Sequence, residues 1–167
     1  MGRLYWITGL AGAGKSSLAR KLFEILKPQI STLIYLDGDS LREVFEANGQ
    51  YEKAQRHQIS MKYARLCHLL TTQGIDVICA TISMFDDVRS WNRKHISNYT
   101  EIYIEVSFSV LQKRNQHSLY SGQSGQQIKN VVGCDIDAQF PNNPDIVLRN
   151  DGDVPIDELA QRLLKLI

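Results

Sequence analysis

Eight consecutive residues, Gly9-Leu10-Ala11-Gly12-Ala13-Gly14-Lys15-Ser16, fit the pattern G-x-x-x-x-G-K-[ST] in full. Each residue type in that pattern has a physical task. Glycines let backbone N–H groups close around phosphate oxygens without Cβ clashes. A helix that starts near Lys15 turns its positive dipole end toward the same phosphates. The Lys15 ammonium reaches the β- and γ-phosphates, and the Ser16 hydroxyl holds Mg²⁺. The segment therefore predicts a bound nucleoside triphosphate, with Ser17 completing the set on the first helical turn.

Such a loop leaves the reaction open. A GTPase-type switch needs N-K-x-D and D-x-x-G motifs, and neither occurs. A phosphotransferase needs an acidic residue near the γ-phosphate. Asp37 and Asp39 suit that role, because they follow a strand-like run at the end where α/β sheets bind ligands. Either is a candidate base for the acceptor hydroxyl, and Asp37 joins Ser16 as a candidate metal ligand. The same tripeptide recurs at Asp151-Gly152-Asp153, before Val154-Pro155, where it reads as a plain turn. Position, rather than the tripeptide, carries the assignment.

These residues need elements to hold them. Leu4 to Thr8 is a short β-favouring run ending at Gly9. Leu18, Ala19, Leu22, Phe23 and Leu26 share one helical face, and Pro28 ends that helix. Thr32 to Leu36 reads as a second strand. Ser40 with Glu43 predicts a capping box for a short helix. A longer helix is expected from Ala54 to Gln73, stopped by Gly74. Ile75 to Ala80, Glu101 to Val106 and Asp145 to Leu148 read as three further strands. Phe85, Val88, Trp91 and His95 fit a helix between them. Ile156 to Ile167 keeps i, i+3, i+4 spacing to the end. Strand–helix alternation of this kind predicts an α/β fold of the P-loop NTPase type, a five-stranded parallel sheet with helices on both faces. Residues 1–167 are expected to form a single domain. Gln112 to Pro144 is polar and irregular, and so long a segment in a compact domain is usually functional, such as a lid.

Composition narrows the partners. The chain has 167 residues, 19 Lys+Arg against 18 Asp+Glu, and 43% hydrophobic residues. The near-neutral balance argues against nucleic-acid binding, which needs a basic stripe. No apolar run approaches the roughly 20 residues of a membrane span. Cys67, Cys79 and Cys134 form no C-x-x-C pair, so free thiols and a cytoplasmic location are expected. His57, His68, His95 and His117 show no metal-ligand spacing.

The P-loop, the Leu36-Asp37-Gly38-Asp39 segment, Ile82-Ser83, Leu119-Tyr120 and Ile128 to Asp135 together resemble the adenylylsulfate kinase family over roughly Leu4 to Asp151. The resemblance implies transfer of the γ-phosphate of ATP, with Mg²⁺, to a ribose 3′-hydroxyl. It carries Asp37 and Asp39 onto the family's acidic pair, and Arg42, Arg56 and Arg89 onto arginines of the acceptor site. Ile82 and Ser83 match the segment that touches the acceptor nucleotide, with Met84 beside them, and Lys129 and Val131 belong to the later I-K segment. Residues 114–133 match the lid, with Arg114 on the nucleotide side. Phe45 is a candidate to pack on the acceptor base or only on the core. Structural alternatives stay open for Arg42 as a solvated helix residue, and for Arg56 and Arg89 as ion pairs.

The departures are concentrated on the acceptor side. Met84 replaces the family's proline, Asp86 replaces an arginine, and Val131 replaces an aromatic that would stack on adenine. Arg114-Asn115-Gln116-His117 replaces an R-D-x-K lid. A stacking partner is worth roughly 1–3 kcal/mol per base, and an Arg-to-Asp change reverses charge where a sulfate would lie. The chain is also similar to the cytidine diphosphoramidate kinase branch, from capsule biosynthesis, whose acceptor has a smaller base. Both acceptors stay open, as does another P-loop nucleotide or sugar kinase. A nucleotide-binding module without turnover is a further alternative, against which the intact Lys15, Ser16, Asp37 and Asp39 argue. The resemblance allows a homodimer, but no apolar stripe marks an interface.

Overall fold

The computed structural model describes residues 1–47, 49, 51–114 and 131–167. Five strands, β1 (Leu4–Thr8), β2 (Ile34–Asp37), β3 (Val77–Ala80), β4 (Tyr99–Glu105) and β5 (Ile146–Arg149), form one sheet in the order β2-β3-β1-β4-β5. Every neighbouring pair is parallel. The helices are α1 (Lys15–Leu26), α2 (Gly38–Val44), α3 (Lys53–Thr72), α4 (Asp86–His95), α5 (Phe108–Arg114) and α6 (Ile156–Leu164).

Alternation along β1 builds two cores at once. Tyr5 and Ile7 pack with Leu18 and Leu22 of α1 and Leu159 and Leu163 of α6. Leu4 and Trp6 turn to the other face, against Leu41, Ile59, Tyr63, Cys67 and Val88 of α2, α3 and α4. A strand buried on both faces needs an unbroken apolar run, which Leu4-Tyr5-Trp6-Ile7 supplies. Cys67 and Cys79 are free and buried in the second core, whereas Cys134 is free and exposed.

The expected strand β1 and helix α1 stand where the sequence places them, and other boundaries move for local reasons. β2 starts at Ile34 rather than Thr32, because the Leu33 N–H is used by the Ile30 carbonyl in a turn. β3 starts at Val77 because Ile75 N–H still caps α3 through the Leu70 carbonyl. β4 starts at Tyr99, which pairs with Leu4. The Ser40–Glu43 capping box is not formed. Asp37 is the N-cap of α2 instead, accepting from the Asp39 N–H, and Ser40 lies inside the helix. Two residues are thereby drawn onto one turn directly after β2. Helix α5 has no expected counterpart; Leu111 is its one buried residue, too little to leave a periodic signal.

Candidate active site

The loop between β1 and α1 is shaped by glycines where no side chain fits. Gly14 has φ +92°, and a Cβ there would sit 2.6 Å from Asn150 Nδ2. Gly9 lies against the backbone of β4, where a Cβ would meet the Ile104 carbonyl oxygen at 2.7 Å. The back of the loop is pinned by side chains. Asn150 donates its amide to the Ala13 carbonyl at 2.8 Å, and Arg114 donates to the Gly12 carbonyl at 3.1 Å and to the Asn150 carbonyl at 2.8 Å. With the Gly12 and Ala13 carbonyls committed to this brace, the loop keeps the form that an anion cradle of backbone N–H groups requires.

Lys15 is buried beneath this loop and donates from Nζ to the Leu10 carbonyl at 2.7 Å. Burial lowers its pKa to about 8, against the opposing pull of Asp39 and Asp37. A phosphate would repay that desolvation, since it offers the ammonium the counter-charge that the site lacks. Asp37 ends β2. Burial pushes its carboxyl upward, but hydrogen bonds from Ser16, Tyr35 and the Asp39 N–H, together with the Lys15 charge, bring it below the ordinary value. Ser16 and Asp37 thus stand together as hard oxygen groups beside the cradle. That donor set fits Mg²⁺, which takes one or two protein oxygens and completes its shell with phosphate and water. The loop, Lys15, Ser16 and Asp37 therefore fit a Mg²⁺–nucleotide.

A cleft of about 420 Å³, including its open mouth, begins at the next turn. Asp39 and Arg42 of α2, Arg56, Ile59, Ser60 and Tyr63 of α3, the Thr81 to Phe85 segment after β3, and Val132 line it. Tyr51 lies between the two cations, 5.2 Å from the Arg42 guanidinium carbon and 5.3 Å from that of Arg56. Burial and the nearby Arg42 both lower the Arg56 pKa. Two cations at one end of a cleft suit an anionic ligand. Ser83 has φ +26° and a buried hydroxyl with no hydrogen-bond partner among the described residues. Its segment is fixed to β1 by Thr8, whose hydroxyl donates to the Ile82 carbonyl at 2.6 Å. Met84 is buried with its sulfur 3.5 Å from the same hydroxyl. His57 on α3 meets Asp87 on α4 at 2.5 Å and packs edge-on against Phe85, which lines the cleft.

The sequence candidates divide accordingly. Asp39, Arg42, Arg56, Ile82, Ser83 and Met84 come together in the cleft. Phe45 does not line it and packs on Tyr63, with ring centroids 5.9 Å apart. Val131 is buried in a turn, and its neighbour Val132 takes the lining position. Arg89 stands apart from them. Its side chain is 5% exposed, pairs with Glu101 at 3.2 Å and with Asp86, and donates to the Gln139 carbonyl at 2.7 Å. Arg89 is thus held in an ion pair and does not line the cleft, while its buried Nη1 has no partner among the described residues. Lys129, His117 and Leu119-Tyr120, with most of the expected lid, lie outside the described residues. Asn150 and Tyr35 had no motif to reveal them; both act through positions that only the assembled sheet brings to the loop.

No helix among the described residues is long and apolar enough to cross a membrane. The sequence pattern of the adenylylsulphate kinase family matches residues 1–149. The cytidine diphosphoramidate kinase of Campylobacter jejuni is 40% identical over 162 residues, covering 97% of this chain and 94% of its own. The adenylyl-sulfate kinase of Deinococcus deserti is 33% identical over 97% of this chain and 90% of its own. The structure of the Mycobacterium tuberculosis APS kinase in complex with AMPPNP and APS superposes with a TM-score of 0.86 at 30% identity, covering 99% of this chain and 96% of that one. The chain belongs to the adenylylsulphate kinase family, whose members are phosphotransferases.

Proposed function

We propose that residues 1–167 act as one kinase domain that transfers the γ-phosphate of ATP to the ribose 3′-hydroxyl of an anionic nucleotide. The observation that carries this reading is the placement of Asp37 and Asp39 on one turn, between the phosphate cradle and the two-arginine cleft. In this reading the loop amides and Lys15 hold the ATP phosphates. Ser16 and Asp37 would hold Mg²⁺, which would supply charge neutralisation at the ATP phosphates. Asp39 lines the cleft, so it meets the acceptor hydroxyl and takes its proton as the oxygen attacks in line. Asp37, with both oxygens engaged by Asp39 N–H and the Tyr35 hydroxyl, stays on the metal side. Arg42 and Arg56 hold the acceptor's anionic groups, and the Ser83 hydroxyl offers a hydrogen bond to its base or sugar.

Cytidine diphosphoramidate is the favoured acceptor. Asp86 stands on the segment after the cleft wall and binds Arg89, so that position presents a carboxylate rather than a cation to a terminal sulfate. The higher identity to the Campylobacter enzyme supports the same choice. Adenosine phosphosulfate is the second reading, compatible with the paired Arg42 and Arg56, which would serve the anionic groups of either acceptor. ADP release with ATP, Mg²⁺ and a panel of acceptors separates them. Turnover on the cytidine compound well above that on adenosine phosphosulfate is expected; the reverse order would reject the cytidine assignment, and no acceptor-stimulated release from any nucleotide would reject the kinase reading.

A further inference from the structure

Tyr35 stands two residues before Asp37 on β2, so both side chains leave the same face of the strand. Its hydroxyl donates to Asp37 Oδ2 at 2.6 Å. The other carboxylate oxygen, Oδ1, accepts the Asp39 N–H at 3.0 Å. A carboxylate can only accept, so the phenol is the donor, and each carboxylate oxygen keeps lone-pair capacity after one such bond. Held at both oxygens, the Asp37 carboxylate has lost its rotation about the terminal torsion. The Tyr35 ring is itself fixed on α1 by Phe23, with centroids 6.2 Å apart, and its oxygen lies 3.4 Å from the Ser16 carbonyl. One side chain therefore connects the strand that carries Asp37 to the helix that carries Lys15 and Ser16.

We infer that Tyr35 is a positioning residue for the metal–phosphate site, setting the Asp37 carboxylate against Ser16 in the orientation that Mg²⁺ requires. The inference rests on the metal-side role given to Asp37 above. Mg²⁺ demands near-octahedral geometry and tolerates little wander in its ligands. Groups that orient a metal's ligands typically change affinity or activity by about 10–100-fold when removed.

Tyr35→Phe removes the hydroxyl and keeps the ring against Phe23. The expected result is a Mn²⁺ dissociation constant, read by electron paramagnetic resonance on the ADP-loaded protein, raised roughly tenfold. Half-saturating Mg²⁺ in turnover should rise by a similar factor, excess Mg²⁺ should restore kcat, and the acceptor KM should stay unchanged. Unchanged Mn²⁺ binding and Mg²⁺ half-saturation would overturn the inference. A second pair controls for packing: Tyr35→Gln retains a donor and should bind Mn²⁺ more tightly than Tyr35→Leu, and equal losses would also overturn it. Asp37→Asn separates the two levels. If that variant keeps Mn²⁺ binding, the metal-side reading of Asp37 fails; if it loses binding while Tyr35→Phe does not, only the Tyr35 inference fails.

Discussion

Asn150, the residue that follows β5, holds Ala13 in the phosphate loop through a 2.8 Å bond from its side-chain amide to the Ala13 carbonyl. The loop is thus braced from the far side of β1, by a strand more than a hundred residues later in the chain. Arg114 joins the brace from the end of α5. Asn150→Ala leaves the Ala13 carbonyl without that partner, while the Arg114 bond to the residue-150 backbone carbonyl is kept. One such buried bond is worth about 1–2 kcal/mol, so KM for ATP should rise about tenfold. The acceptor KM should hold, because the cleft lies on α2 and α3. Steady-state kinetics with each substrate varied in turn would check it.

Lys15 predicts a pH effect on nucleotide binding. In the ligand-free protein its pKa is about 8, lowered by burial. Bound phosphates favour the charged form and raise it. Above pH 8 the free protein has lost the Lys15 proton, so binding must take one up, and affinity falls as pH rises; well below pH 8 the ammonium is already charged and the dependence vanishes. Calorimetry of ADP binding in EDTA, at pH 9 in buffers of different ionisation enthalpy, should show net proton uptake. Lys15→Met should abolish that uptake.

The fold was legible where one local cause decided it. The P-loop, β1 and the start of α1 follow from a contiguous pattern, and the acidic pair from its place at a strand end. What stayed hidden depended on tertiary placement. The Ser40–Glu43 spacing is a valid cap signal, but Asp37 reaches the Asp39 N–H first and starts the helix earlier. Arg89 matched an acceptor-site position in the chain, yet Glu101 across on β4 supplies a buried counter-charge that draws it into the structure. Nothing in the spacing of Tyr35 or Asn150 points at the loop they hold, because the sheet order β2-β3-β1-β4-β5 must exist before either is near it.

Arg89 and Glu101 are each 5% exposed on their side chains, and Arg93 at 3.1 Å and the Asp145 carboxylate, which accepts the Glu101 N–H, complete the group. Burial pushes the Glu101 carboxyl up while Arg89 and Arg93 oppose it. Arg89→Met leaves the buried Glu101 carboxylate with Arg93 as its remaining cation and should cost about 3 kcal/mol. For a chain of this size that is a Tm loss of roughly 10 °C. Adding Glu101→Gln removes the half-compensated charge and should recover part of the loss. Thermal melts of the single and double variants test this, and an acceptor KM raised in the single variant with no change in Tm would return Arg89 to the cleft.

Asp39 and Asp37 should fail differently. Asp39 faces the cleft with Arg42 and Arg56, while Asp37 is tied to Ser16 and Tyr35. Asp39→Asn keeps the size and the helix-start geometry, since the Asp39 N–H that Asp37 accepts is backbone. It removes the carboxylate that would take the acceptor proton, a contribution of about 10²–10⁴ in rate. The expected result is a kcat loss of that order with ATP binding nearly unchanged. Asp37→Asn should instead raise the Mg²⁺ requirement and weaken ATP binding in the presence of Mg²⁺ but not in EDTA. Single-turnover rates and ATP titrations on both variants, with and without Mg²⁺, distinguish these patterns. An Asp39→Asn enzyme with normal kcat, beside an Asp37→Asn enzyme whose rate cannot be restored by Mg²⁺, would move the base to Asp37.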